Sequence, residues 1–80
     1  MNNVKLCKNC YMPIDNILFV AGYVSESIKR DIRKKKKEDK VVDFTSGKKT
    51  LSAVYLKTGQ VVLLNTSPDT VNNRMEGKEE

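Results

Sequence analysis

Histidine and tryptophan are both missing from this 80-residue sequence, and cysteine and proline occur only twice each. Without histidine, the commonest general base and a leading metal ligand are gone. No carboxylates are paired at a spacing that suits acid–base work, and no nucleophile comes with an evident base. The expectation is a protein that is not an enzyme, with no cofactor and no small-molecule substrate. Two cysteines cannot form a disulfide framework, which fits a reducing compartment. The longest apolar stretch, ILFVAGYV at residues 17–24, falls far below the roughly 20 residues of a membrane helix. The opening MNNVKLCKNC also lacks a basic head followed by an apolar run. Both absences lead to the expectation of a cytoplasmic protein with no membrane partner.

What is abundant is positive charge, +5 in all, and it is unevenly spread. Residues 29–49 hold ten basic side chains against four acidic ones, a net of +6, while the rest of the chain carries −1. Localised excess of this kind points to a polyanionic partner. The length suits one domain, expected over residues 1–75, with a disordered acidic tail over residues 76–80. So short a chain buries only roughly 60 to 65% of the surface its unfolded form exposes, which favours association with further copies.

Residues 5–12 read as a short strand or loop, and residues 14–23 as a strand with Pro13 at its first position. Ser25 and Ser27 are candidate N-caps for a helix over residues 26–37, with Val24, Ile28 and Ile32 as its narrow apolar stripe. A strand follows over residues 40–45. Residues 51–57 and 60–65 form a hairpin about Thr58 and Gly59. Ser67, Pro68 and Asp69 open a second helix with a capping hydroxyl, a proline at the first position and an acid at the positive end of the dipole. The run VVLL at residues 61–64 puts apolar groups on both sides of its sheet. Two short helices do not easily cover both, so either the sheet folds over on itself or a second subunit lies against it, and the second is expected.

Three motifs carry candidate chemistry. In TSGKKT, residues 45–50, Lys48 and Lys49 follow Gly47 in a turn between two strands. A phosphate-binding P-loop is excluded there, because Val42 stands where that motif needs glycine, Lys49 where it needs Ser or Thr, and a strand follows. The bland alternative is a solvated turn. In RKKKK, residues 33–37, cations in the last helical turn interact well with the carbonyl end of the dipole whether or not they also touch phosphate. Five consecutive positions point around the helix, so they cannot all face one ligand. CKNC, Cys7 to Cys10, is half of a tetrahedral zinc site with no second half in the chain. A zinc bridge between two copies, a redox pair and two ordinary thiols remain the readings there.

The words SIKR (27–30), VVDFTSGKKT (41–50) and SPDTV (67–71), in this order and spacing, resemble the RemA-like family of small bacterial DNA-binding regulators of extracellular-matrix and biofilm genes. The resemblance runs from about Val4 to Met75. It implies a small α+β fold, a mainly antiparallel β-sheet with two short helices like the LytTR DNA-binding domain. It also implies a ring-shaped homo-oligomer whose basic loops bind and bend duplex DNA. The family's turn carries two DNA-contacting arginines after the glycine, which transfers to Lys48 and Lys49 as charge. A further family arginine aligns with Asn16. Cys7 to Asn9 stand where a glycine-rich turn is expected, and RKKKK exceeds the usual basic content of that helix.

The candidate DNA contacts are therefore Lys48, Lys49, Asn16, Lys29, Arg30 and Arg33. Lysine is a hydrated point charge without the planar fork of arginine, so phosphate attraction should outweigh base discrimination. Two rival functions are an RNA-binding protein and a zinc-bridged interaction protein. The first needs exposed stacked aromatics, and only Tyr11, Phe19, Tyr23, Phe44 and Tyr55 exist, with no evident paired platform.

Overall fold

A computed structural model describes residues 2–77. The chain begins with a hairpin, β1 (Asn3–Cys7) and β2 (Cys10–Pro13), then a single 3-10 turn at Ile14–Asn16. Next come β3 (Ile17–Gly22), α1 (Glu26–Lys37), β4 (Val41–Asp43), β5 (Ser52–Leu56), β6 (Val61–Leu64) and α2 (Pro68–Met75). The main sheet has the order β3-β5-β6-β4, antiparallel except where β4 runs parallel to β6. This is the expected α+β class with two helices and mostly antiparallel strands, divided between a four-stranded sheet and a separate two-stranded one.

Side-chain alternation sorts the core into two clusters. Val54, Val62 and Leu64 point to one face of the sheet, where Val4 and Leu6 of β1 and Val71 of α2 complete a closed apolar layer. Ala53, Tyr55, Val61 and Leu63 point to the other face, covered by Ile32 of α1 with Ile28 and Tyr23 beside it. All four residues of VVLL are buried within one chain. The favoured expectation of a second subunit against them is corrected by the N-terminal hairpin. Its inner residues supply the layer that two helices alone could not.

Both helices begin where their capping residues place them. The Ser25 hydroxyl oxygen accepts from the Ile28 N–H at 3.2 Å, and the Ser67 oxygen accepts from the Thr70 N–H at the same distance. The α1 helix ends in a Schellman arrangement: Asp39 N–H bonds to the Lys36 carbonyl and Lys40 N–H to the Lys35 carbonyl, with Asp39 left-handed at φ 61°. Tyr55 ties α1 to the sheet by donating its hydroxyl to Asp31 Oδ2 at 2.8 Å, while its ring stacks on Phe19 at 4.5 Å. Burial first, and then the Asp31 hydrogen bond and charge, push the Tyr55 pKa up to about 12.

Other boundaries differ from expectation. Val24 is 81% exposed and takes no part in the buried stripe, because it precedes the helix in a turn. The first long strand starts at Ile17, not Ile14, since Pro13 closes β2 and the chain makes a 3-10 turn before entering the main sheet. The strand expected over residues 40–45 stops at Asp43, although Phe44 N–H still bonds to β6, and the Phe44 side chain is half-exposed. Of the expected tail, Glu76 and Gly77 still bond to the end of α2, and residues 78–80 lie outside the described residues. Among the described residues, no helix is long and apolar enough to cross a membrane.

Candidate nucleic-acid interface

The loop from β4 to β5 is built by hydrogen bonds that begin at its first residue. Phe44 N–H bonds to the Leu63 carbonyl at 3.0 Å. Asp43 Oδ1 then accepts from both the Thr45 N–H (2.8 Å) and the Thr45 hydroxyl (2.6 Å), which turns the chain out of the sheet. Lys48 N–H closes a tight turn on the Thr45 carbonyl at 3.0 Å, with Ser46 and Gly47 both at positive φ, 57° and 81°. Glycine adopts that conformation without a Cβ penalty, which explains its place directly before the lysines. On the far stem the Asn65 amide donates to the Lys49 carbonyl, and Leu51 N–H bonds to the Leu64 carbonyl at 2.8 Å.

Lys48 and Lys49 are exposed on this braced loop, and among the described residues neither is in a salt bridge. Thr45, in contrast, is only 3% exposed, so its hydroxyl depends on Asp43 for a partner. The Thr45 hydroxyl and N–H hold the Asp43 carboxyl below its usual range, and the charge of Lys36 acts more weakly in the same direction.

The cations of α1 are arranged differently. Arg30, Arg33, Lys34 and Lys37 are exposed at i, i+3, i+4 and i+7, a stripe on the face opposite Ile28 and Ile32. Lys29 is half-buried with its ammonium 5.5 Å from the Tyr23 ring centroid. Because Tyr23 N–H bonds to the Leu51 carbonyl, the first turn of α1 starts at the same end of the sheet as the β4–β5 loop. Lys29 and Arg30 stand in the first turns of α1, at that end, and the RKKKK block also approaches the base of the loop, since the Lys36 charge acts on Asp43.

Asn16 is exposed at the other end of the sheet. Its carbonyl accepts from Lys57 N–H at 2.9 Å, beyond the Leu56 end of β5, whereas the loop enters β5 at Ser52. One strand length, roughly 13 Å, separates the two ends. A single protomer does not bring Asn16 together with Lys48 and Lys49.

A family model described as RemA-like, extracellular matrix regulatory protein A-like, matches residues 4–75. The chain belongs to the RemA-like family. It is similar to a protein of Coprothermobacter proteolyticus, 34% identical over 66 residues, covering 82% of this chain and 63% of that one. It is also similar to proteins of Bacillus cereus strain AH187 and Geobacillus strain WCH70, each 31% identical over 64 residues, covering 80% of this chain and 74% of theirs. All three carry the name "Putative regulatory protein". The relatives are thus named as regulators rather than enzymes.

In this RemA-like chain the fold also gathers cations that local charge counting passes over. Lys5, Lys8 and Arg74 come from the two ends of the chain and line one open cavity with Lys48. No stretch of sequence contains them together, so only the packing of α2 beside the hairpin reveals the group. Cys7 opens onto the same cavity. It sits in register with Cys10 across the two-residue turn at Lys8 and Asn9, and both thiols are free. Burial, and then the hydrogen bond and charge of Cys7, raise the Cys10 pKa. No group of three or more metal-ligating His, Cys, Asp or Glu side chains occurs among the described residues.

Proposed function

We propose that this RemA-like protein is a bacterial regulator that binds and bends duplex DNA, with matrix or biofilm genes as its targets. The observation that carries the reading is the pair of exposed, unpaired ammonium groups of Lys48 and Lys49 on a loop braced at both stems. Phosphate contacts of this kind position a duplex without reading its bases, so sequence preference comes from how readily the DNA bends. On α1, exposed Arg30 and Arg33 and half-buried Lys29 add further cations for the duplex.

Two phosphate contacts from one subunit bind weakly, and a multimer repeating the same loop gains by effective concentration. Exposed apolar side chains support self-association as a ring. Leu18 and Phe19 lie on the edge strand β3 and are 60% and 46% exposed, and Val24 follows close by. In such an assembly the Asn16 end of one copy lies along the same duplex as the loop of the next.

The test replaces Lys48 and Lys49 together by Glu, then measures oligomer mass by light scattering and duplex affinity by gel shift. Each charge-assisted contact is worth about 1.5–3 kcal/mol, so affinity should fall about a hundredfold or more with the mass unchanged. An intact multimer that binds duplex as before would overturn the proposal. Preference for single-stranded RNA over duplex DNA in the same assay would transfer it to the RNA-binding reading.

A further inference from the structure

The cavity behind the loop brings together four cations from four separate segments. Lys5 comes from β1, Lys8 from the hairpin turn, Lys48 from the β4–β5 loop and Arg74 from α2. The volume is about 340 Å³, within the usual range for small-ligand sites. Ser46, Asn65 and Thr66 add polar groups to the wall, and among the described residues no carboxylate lines it. Arg74 is half-buried and directs one guanidinium nitrogen to the Lys5 carbonyl in a long contact of 3.4 Å, which leaves its other donors available. Like charges converging on one concave wall repel one another, and their fields add inside it. A bound anion converts that repulsion into attraction, and arginine with lysine is the pairing suited to a phosphate group.

We infer that this cavity is an oxyanion site that takes a phosphate group, with Lys5, Lys8 and Arg74 as binding residues beside Lys48. The phosphate belongs either to a small phosphorylated ligand or to the backbone of bound DNA. Free-phosphate binding does not depend on the DNA reading, so the two stand or fall separately.

Cys7 provides the readout, because it lines the same cavity. In the full-length Cys10→Ser protein, iodoacetamide alkylation of Cys7 is followed with inorganic phosphate or pyrophosphate added at constant ionic strength, chloride serving as control. Occupancy should slow alkylation saturably, by a factor of 1 + [ligand]/Kd, about tenfold when the anion is at ten times its Kd. Lys8→Gln, at an exposed turn position, and Arg74→Gln should each weaken the protection. In the wild-type protein the same anions should shift the amide resonances of residues 5–8 and 45–48, which guards against a folding defect in the cysteine variant.

A 20-base-pair duplex then separates the sources. Cys7 protected by DNA, with Lys8→Gln lowering the salt slope of DNA binding by about 1, assigns the site to a backbone phosphate. Protection by the free anions alone assigns it to a small phosphorylated ligand. If phosphate, pyrophosphate and DNA protect no better than chloride and leave those amides unmoved, the inference is overturned.

Discussion

The β4–β5 loop and the last turns of α1 are both cationic, but they hold their charge in different ways. In the loop, an ionised Asp43, a buried Thr45 and two positive-φ residues fix the backbone that carries Lys48 and Lys49. In α1, Lys34 and Lys37 project from a regular helix into solvent, and Lys35 leans back against the domain. The helical cations already interact favourably with the carbonyl end of the dipole, so their presence has a structural explanation without any ligand. The loop lysines have no helix dipole to serve. Charge count alone therefore does not rank the two regions, and what distinguishes them is a loop shaped by side-chain hydrogen bonds against a regular helix.

The largest expected effect comes from undocking the helix. Ile32 is 1% exposed against Ala53, Tyr55, Val61 and Leu63, and Ile32→Ala should cost about 2–5 kcal/mol in urea unfolding. A loss below about 1 kcal/mol would mean that α1 does not depend on that packing.

Asp43→Ala comes next and acts on the loop. It strands the Thr45 hydroxyl, at about 1–3 kcal/mol, and should weaken duplex binding while leaving α1 intact by circular dichroism. The pH dependence has a definite sign. With its pKa depressed in the folded protein, Asp43 contributes fully above the ordinary carboxylate value of about 3.9 and loses that contribution as pH falls through its lower folded value. The Thr45 amide resonance should therefore titrate with a midpoint below about 3.9. A midpoint at or above that value would contradict the bracing role of Asp43.

A smaller effect is expected at the helix end. Asp39→Gly removes a side chain from a left-handed position and should raise stability by about 1 kcal/mol in thermal unfolding. Unchanged or lower stability would show that the Asp39 side chain compensates for its backbone.

Much of this architecture is legible in the sequence wherever a local signal decides it. Ser25 marks the start of α1, Ser67-Pro68 marks α2, and Gly59 marks the hairpin turn between β5 and β6. The first hairpin escapes such reading because its turn, Lys8-Asn9, contains no glycine. Asn9 itself takes the left-handed conformation, at φ 61°. With that hairpin hidden, the run Val61–Leu64 points to a second subunit that the fold does not require. Val24 stands four residues before Ile28 yet lies outside the helix, where periodicity has no meaning. The pairing of Arg74 with Lys5 spans 69 residues, a tertiary fact that no window of sequence contains.

The decisive measurement is the salt dependence of duplex affinity for the wild type, for Lys48→Gln with Lys49→Gln, and for Lys34→Gln with Lys37→Gln. Removing one phosphate-binding cation should reduce the log–log slope by about 0.9, so the loop variant should flatten by about 2 for every protomer on the DNA. The helix variant should change much less. A helix variant that flattens the slope as much as the loop variant, or more, would contradict the assignment of DNA binding to the braced loop.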